Sequence, residues 1–333
     1  MTRMRCTVLL VSASLSVGAL NALTSAQAPA PRFNRVITLL EQKKPVFGVY
    51  WPGPPSGRGR AGAPPPSEGA PKPPSEFARE ALAYHDADFL FSGALEGGMD
   101  RGYAPVNDFV KATVDAVSQT GARFLSASTP LIVKVPKISA DRARTAADIS
   151  RALNLGVSGL MFVDVESADE VRAGLAAMRF KSKGGTRADD TGDAPANWGV
   201  SDDRYKQKAD LWPLNSDGEL INWTIVESKE GLKHVREIAA VKGIGVLWPG
   251  AGTLRGVFST TNAAGERVVD TAAWENAIQQ VLAACKEFNV PCGFPASPND
   301  IEMRMKQGFS VFVMNWGEAG FKTVETGRKA AGR

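Results

Sequence analysis

Along residues 45–315, short apolar runs alternate with amphipathic stretches. Eight runs are rich in β-branched or aromatic residues and close on Gly, Pro, Ser or Asn: PVFGVYW (45–51), ADFLFSGAL (87–95), PLIVKVP (130–136), SGLMFVDV (158–165), INWTIVE (221–227), GIGVLWPG (243–250), VPCGFPAS (290–297) and GFSVFVMN (308–315). Most are continuous rather than alternating, the pattern of a parallel strand covered on both faces. Helical patterns fill the gaps, among them SEFAREALAYH, SADEVRAGLAAMRF and TAAWENAIQQVLAACKEFN, and RFNRVITLLEQKK precedes the first strand. Ser139, Ser167, Ser228 and Asn299 stand where N-caps belong. Eight strands alternating with helices predict an α/β fold, a (β/α)8 TIM barrel in one domain over residues 29–333. A doubly wound open sheet is the alternative, but the first βα turn carries no GxGxxG.

Two segments break the rhythm. Residues 52–74, PGPPSGRGRAGAPPPSEGAPKPP, hold too much Pro and Gly for a packed element and predict a mobile loop after the first strand. Residues 180–219 are long and polar, and are assigned to the catalytic face after the fourth strand.

The N-terminus sets the compartment. MTRMR is a basic n-region, CTVLLVSASLSVGALNAL an apolar run broken by Ser, Gly and Asn, and Ala26-Gln27-Ala28 a small-x-small cleavage site. Residues 1–28 therefore read as a secretory signal peptide, with a retained anchor as the alternative, and the protein is expected in the periplasm or secreted. Cleavage removes Arg3 and Arg5 and no acid, so the formal charge drops from +4 to +2. That balance carries no electrostatic footprint for nucleic acid, and no later segment is long enough for a membrane span. Cys285 sits in a helical pattern and Cys292 opens a strand, so both read as buried thiols, with a disulfide as the alternative.

Barrel chemistry gathers at the C-terminal ends of strands. The residues there are Glu96, Lys134, Asp164, Glu166, Glu227, the turn Pro249-Gly250-Ala251-Gly252, and Asn315. Glu227 closes an apolar strand, where a carboxylate is costly to bury without a cation or a hydrogen-bond donor. It reads equally as a metal or substrate ligand and as a helix cap. Lys134 reads as an anchor for an anionic substrate, as a Schiff-base lysine if burial depresses its pKa, or as the partner of a neighbouring carboxylate. With only His85 and His234 in the chain, a Ser-His-Asp triad or a histidine-rich zinc site is excluded as a reading.

From about residue 34 to 331 the chain resembles the HpcH/HpaI aldolase and citrate lyase family. The resemblance is carried by RVITLLEQKKPVFGVYW, DFLFSGALEGGMD, PLIVKVP, LNLGVSGLMFVDVESADEVRAGLAAMRF, ANWGVSDDRYKQKADLWP, IVESKEGLKHVREIAAVKGIGVLWPG and CGFPASPNDIEMRMKQGFSVFVMN. It implies a barrel lyase that makes or breaks carbon–carbon bonds in small 2-oxo or hydroxy acids through a pyruvate-like enolate. It also implies a divalent metal (Mg, Mn or Co) and a homo-oligomer, a hexamer or trimer. Glu227 matches the family's metal glutamate in V-E-S, and the second metal aspartate, in G-P-A-D, falls on Gly252. The amides that hold the substrate carboxylate map to Ala251 and Gly252, and the arginine that polarises the keto oxygen maps to Lys134. The acid and histidine of the strand-two turn fall on Gly93 and Glu96, which makes Glu96 the candidate replacement base or second metal ligand. A family glutamine is Ile225, and an aspartate contributed across a subunit boundary is Asn154. These departures raise a second class of function: a catalytically silent, exported barrel that binds a small carboxylic acid or a protein partner.

Overall fold

The computed structural model describes residues 32–53, 72–119, 129–138 and 141–333. The signal peptide, most of the 52–74 loop and the Ser139 cap lie outside the described residues. In chain order the strands are β1 (Val46–Tyr50), β2 (Phe89–Ser92), β3 (Leu131–Val135), β4 (Gly159–Phe162), β5 (Leu211–Trp212), β6 (Leu220–Val226), β7 (Val246–Pro249), β8 (Ser259–Thr261), β9 (Arg267–Val269), β10 (Gly293–Phe294) and β11 (Val311–Met314). Eight of them form a parallel sheet in the order β10-β11-β1-β2-β3-β4-β6-β7. A parallel bridge between Leu247 and Cys292 brings its two ends together, so the sheet curls into the expected (β/α)8 architecture. Arg32 to Arg333 form one compact unit.

The continuous apolar runs have the physical cause that parallel sheets predict. Phe47, Val49 and Trp51 pack outward with the helices, while Val46 belongs to the inner cluster and Tyr50 packs against it. The same alternation sends Phe89, Phe91, Ile132, Met161, Val163, Trp223, Ile225, Trp248 and Val313 inward. Trp223 stacks between Phe91 and Trp248, with ring centroids 5.9 Å and 5.6 Å away, and plugs the barrel. Gly293 makes room for this stack, because a Cβ there would stand 1.8 Å from the Trp248 ring. The barrel is thus a packed core with an apolar floor beneath its C-terminal mouth.

Four expectations need correction. The segment 180–219 lies at the N-terminal end of the barrel and not on the catalytic face. It follows the helix Ala168–Met178, which returns the chain from the end of β4, and it leads into the start of β6. There Asn34 N–H donates to Glu219 (3.0 Å) and the Asn34 side chain donates to the Ser158 carbonyl (3.2 Å), tying the N-terminal helix to the strand starts. The helix Arg142–Asn154 is capped by Asp141, whose carboxylate accepts from Arg144 N–H. The helix Ile301–Gln307 starts after Asp300, one residue beyond Asn299; the Asp300 side chain accepts from Ser297 instead. Ser167 and Ser228 do cap their helices.

The fourth correction concerns the cysteines, which are buried but bonded: Cys285 and Cys292 form a disulfide with Cα atoms 5.7 Å apart. The helix Thr271–Phe288 ends on Asn289 in the left-handed conformation, and this reversal brings Cys292 back beside the last turn.

Candidate active site

The inward positions of the strands change character at their C-terminal ends. On β3, Ile132 faces the core and Lys134 follows two residues later; on β6, Ile225 is followed by Glu227. The period of two therefore lifts one ammonium and one carboxylate from the apolar floor into the mouth. On β1 the same period places Tyr50 there, packed edge-on against Phe91 at 5.0 Å. Tyr50 was not anticipated from the sequence; the signal for it was an amphipathic ring at the end of an otherwise apolar run.

Lys134 and Glu96 meet. Nζ lies 3.2 Å from Glu96 Oε2, and the side chains are 15% and 22% exposed. Burial by itself pulls the lysine pKa down. The Tyr50 phenol and the carboxylates of Glu96 and Glu227 outweigh it and hold the ammonium above the ordinary lysine range. A Schiff-base role requires the opposite direction, so Lys134 is a fixed cation.

Glu227 is 6% exposed. It does not cap the following helix; Ser228 does, accepting from Gly231 N–H at 3.0 Å. Instead Oε1 accepts from Asp164 N–H at 3.0 Å. Asp164 reaches it from a left-handed backbone, φ 49°, a conformation that aspartate tolerates better than most residues. Oε2 leans over Gly250 and has no hydrogen-bond partner among the described residues; a Cβ on Gly250 would meet it at 2.7 Å. At the rim, Lys137 donates to Asp164 (3.0 Å) and Glu166 (2.8 Å), and Ser228 Oγ donates to Glu166 (2.8 Å). These bonds, led by that from Lys137, hold the Glu166 carboxyl below the usual range.

The turn after β7 is the start of a helix, Ala251–Val257, not foreseen because of its glycines. Ala251 and Gly252 are its first residues, so their N–H groups have no acceptor within the helix. Trp274 Nε1 donates to the Ala251 carbonyl at 2.8 Å and fixes the turn from behind. Asn315 is exposed beyond β11, and Asn154 lies away from the mouth, accepting from Arg187 at 2.7 Å.

The mouth's enclosed groups are two carboxylates, Glu96 and Glu227, against one ammonium, Lys134. That leaves a net negative charge that a cation would balance. Glu96 is already engaged by Lys134, so Glu227 Oε2 is the protein oxygen available to an ion. No group of three His, Cys, Asp or Glu side chains gathers among the described residues. The set fits a hard ion held by one carboxylate and completed by substrate and water oxygens.

A cavity of about 940 Å³ opens at the opposite end of the barrel, lined in part by Lys43, Lys44, Trp212, Lys242 and Lys286. Its lysines follow or end helices, where cations offset the negative pole, and no mouth residue reaches it.

Residues 108–317 match the family model of the HpcH/HpaI aldolase/citrate lyase proteins. The chain belongs to this family. A hydroxypyruvate/pyruvate aldolase of Paraburkholderia phytofirmans is 30% identical over 185 residues, 54% of this chain and 61% of that protein, so the chain matches less than two thirds of its length. An HpcH/HpaI aldolase/citrate lyase family protein of Burkholderia cenocepacia superposes with a TM-score of 0.60 at 20% identity, over 89% of this chain and 97% of that one. An HpcH/HpaI aldolase of Desulfitobacterium hafniense gives 0.58 at 15% identity, over 88% and 94%. Both share the fold. Membership of the family supports a lyase of the class II aldolase type.

Proposed function

We propose that this protein is an aldolase-type carbon–carbon lyase for small 2-oxo or hydroxy acids, working at the barrel mouth through a pyruvate-like enolate. The observation that carries the reading is the Lys134–Glu96 pair at 3.2 Å above an apolar floor, beside Glu227 with one oxygen unpartnered. A buried ammonium is suited to an oxygen that gains charge during reaction, since it stands preorganised in a poorly solvated place. Lys134 holds the keto oxygen as it becomes an enolate, the Ala251 and Gly252 N–H groups receive the carboxylate, and Glu96 takes a proton from the substrate hydroxyl. A divalent ion held by Glu227 would supply Lewis-acid stabilisation of the same oxygen. The proposal includes export as a homo-oligomer; the disulfide supports an oxidising compartment.

One observation favours a second reading. Gly252 stands where the resemblance implies a second metal carboxylate, and that substitution would suit a barrel that only binds its acid. Calorimetry with oxalate, a planar stand-in for the enolate, separates the two when run with Mg²⁺, Mn²⁺ or Co²⁺ on the wild type and on Glu227→Gln. The lyase reading expects metal-dependent binding that Glu227→Gln loses. Oxalate binding indifferent to both metal and Glu227 supports the silent barrel.

A further inference from the structure

A lyase that releases an enolate must also return a proton to carbon, and the mouth has few groups to do so. His85 precedes β2 on the far side of the barrel, and His234 is bonded to Glu230 and Glu237 on an outer helix. Both cysteines are oxidised near the N-terminal end. Among the described residues, the proton-carrying side chains that rise from inward positions at the mouth are Lys134, Glu227 and Tyr50, joined by Glu96 from the turn after β2. In the reading above Lys134 holds the keto oxygen, Glu96 takes the hydroxyl proton and Glu227 would hold the ion, so each of the three already has a part in the cleavage step.

We infer that Tyr50 is a catalytic residue, the group that protonates the enolate carbon. This rests on the lyase reading given above. The register supports it: Tyr50 is paired with Phe91 on β2, and Phe91 with Ile132 on β3, two residues below Lys134 on the same inward face. Its ring is set on edge against Phe91, with centroids 5.0 Å apart, which restrains the ring at this inward position. The charge on Lys134 also responds to the Tyr50 oxygen, as it does to Glu96 and Glu227, which marks Tyr50 and Lys134 as neighbours.

The protons balance over one cycle. Glu96 takes the proton of the substrate's 4-hydroxyl, the C3–C4 bond breaks, its electron pair passes to the C2 oxygen, and the aldehyde leaves. Tyr50 O–H then gives its proton to C3 as the enolate closes back to the ketone. The proton on Glu96 then returns to the phenolate through solvent water at the mouth while Lys134 keeps its charge, so all three groups return to their starting forms. The products are pyruvate and an aldehyde, with no proton gained or lost.

Pyruvate in D₂O tests this step alone, because exchange of the methyl protons needs proton transfer at C3 but no aldehyde. Proton NMR would follow exchange by wild type and Tyr50→Phe with Mn²⁺ or Mg²⁺, alongside cleavage of a 4-hydroxy-2-oxo acid. Tyr50→Phe keeps the ring on Phe91, and oxalate affinity checks that the mouth is intact. The expected result is a loss of about 10²–10⁴-fold in exchange and in kcat, with KM and oxalate affinity within about twofold. Exchange and cleavage at wild-type rates in Tyr50→Phe overturn the role of Tyr50 while leaving the lyase standing. If the wild type itself neither exchanges nor cleaves, the lyase reading falls and the Tyr50 role falls with it.

Discussion

Lys134 on β3 and Glu96 on the turn after β2 lie 38 residues apart in the chain and share a 3.2 Å ion pair in the mouth of the barrel. The pair keeps the lysine charged despite its burial, and it takes up the carboxylate that would otherwise be open to a metal.

Exchanging either partner should damage turnover more than binding. Lys134→Met is expected to lower kcat by about 10²–10³-fold, the usual cost of losing one oxyanion-stabilising group. Lys134→Arg should keep part of the activity, because the charge remains while its shape changes. Steady-state kinetics on a 4-hydroxy-2-oxo acid reads both; equal kcat in Lys134→Met and wild type would remove the ammonium from the mechanism.

Gly293 marks how tightly the plug under the site is packed. A Cβ there would meet the Trp248 ring at 1.8 Å, and Trp248 has no slack because it stacks on Trp223. Gly293→Ala should therefore destabilise the fold by about 1–3 kcal/mol or more. Urea unfolding with an unchanged midpoint would show that the aromatic stack yields.

Arg304 gives the fold a pH-sensitive contribution. It is 3% exposed, lies over the Phe294 ring at 4.3 Å, and donates two hydrogen bonds to Glu275, at 2.6 Å and 2.7 Å. Those bonds hold the Glu275 carboxyl below the usual glutamate range. A depressed carboxylate contributes stability above its unfolded pKa, and the contribution is lost as pH falls through the folded value. Glu275→Gln should thus cost about 1–3 kcal/mol at neutral pH, less than a fully enclosed pair because Glu275 is partly solvated, and the difference from wild type should shrink in acid. Thermal melts across pH 3–7 measure it; a constant difference would contradict the assignment.

The disulfide closes a short loop, with its cysteines seven residues apart. Its reduction should destabilise the protein by about 2 kcal/mol on the loop-entropy estimate. Melting with and without a reductant, compared with a Cys285→Ala/Cys292→Ala double variant, reads this directly. No change in either would show that the bond contributes nothing to stability.

The eight barrel strands were legible because burial on both faces writes a continuous apolar run into each one. What escaped were features that such runs do not encode. Strand β5 is two residues long, and the β8–β9 hairpin is polar and exposed. The helix at Ala251 was hidden by its glycines. The side on which 180–219 lies depends on counting the return helix Ala168–Met178 before it. Within the site, the strand-end positions of Lys134, Glu96 and Glu227 could be read from the sequence, but their pairing could not. Lys134 is equally compatible with Glu96, Glu166 or Glu227 until the register of β2, β3 and β4 is known. Tyr50 went unnoticed because its aromatic ring fits the core pattern of β1, and only its place as the last inward residue sets it apart.

The most direct measurement is pyruvate release from a panel of 4-hydroxy-2-oxo acids by the wild-type protein with Mg²⁺, Mn²⁺ or Co²⁺, coupled to lactate dehydrogenase. The account predicts turnover of at least one such acid that is lost in Lys134→Met and in Glu227→Gln. No pyruvate from any acid with any of the three metals, by protein that still binds oxalate, would contradict it.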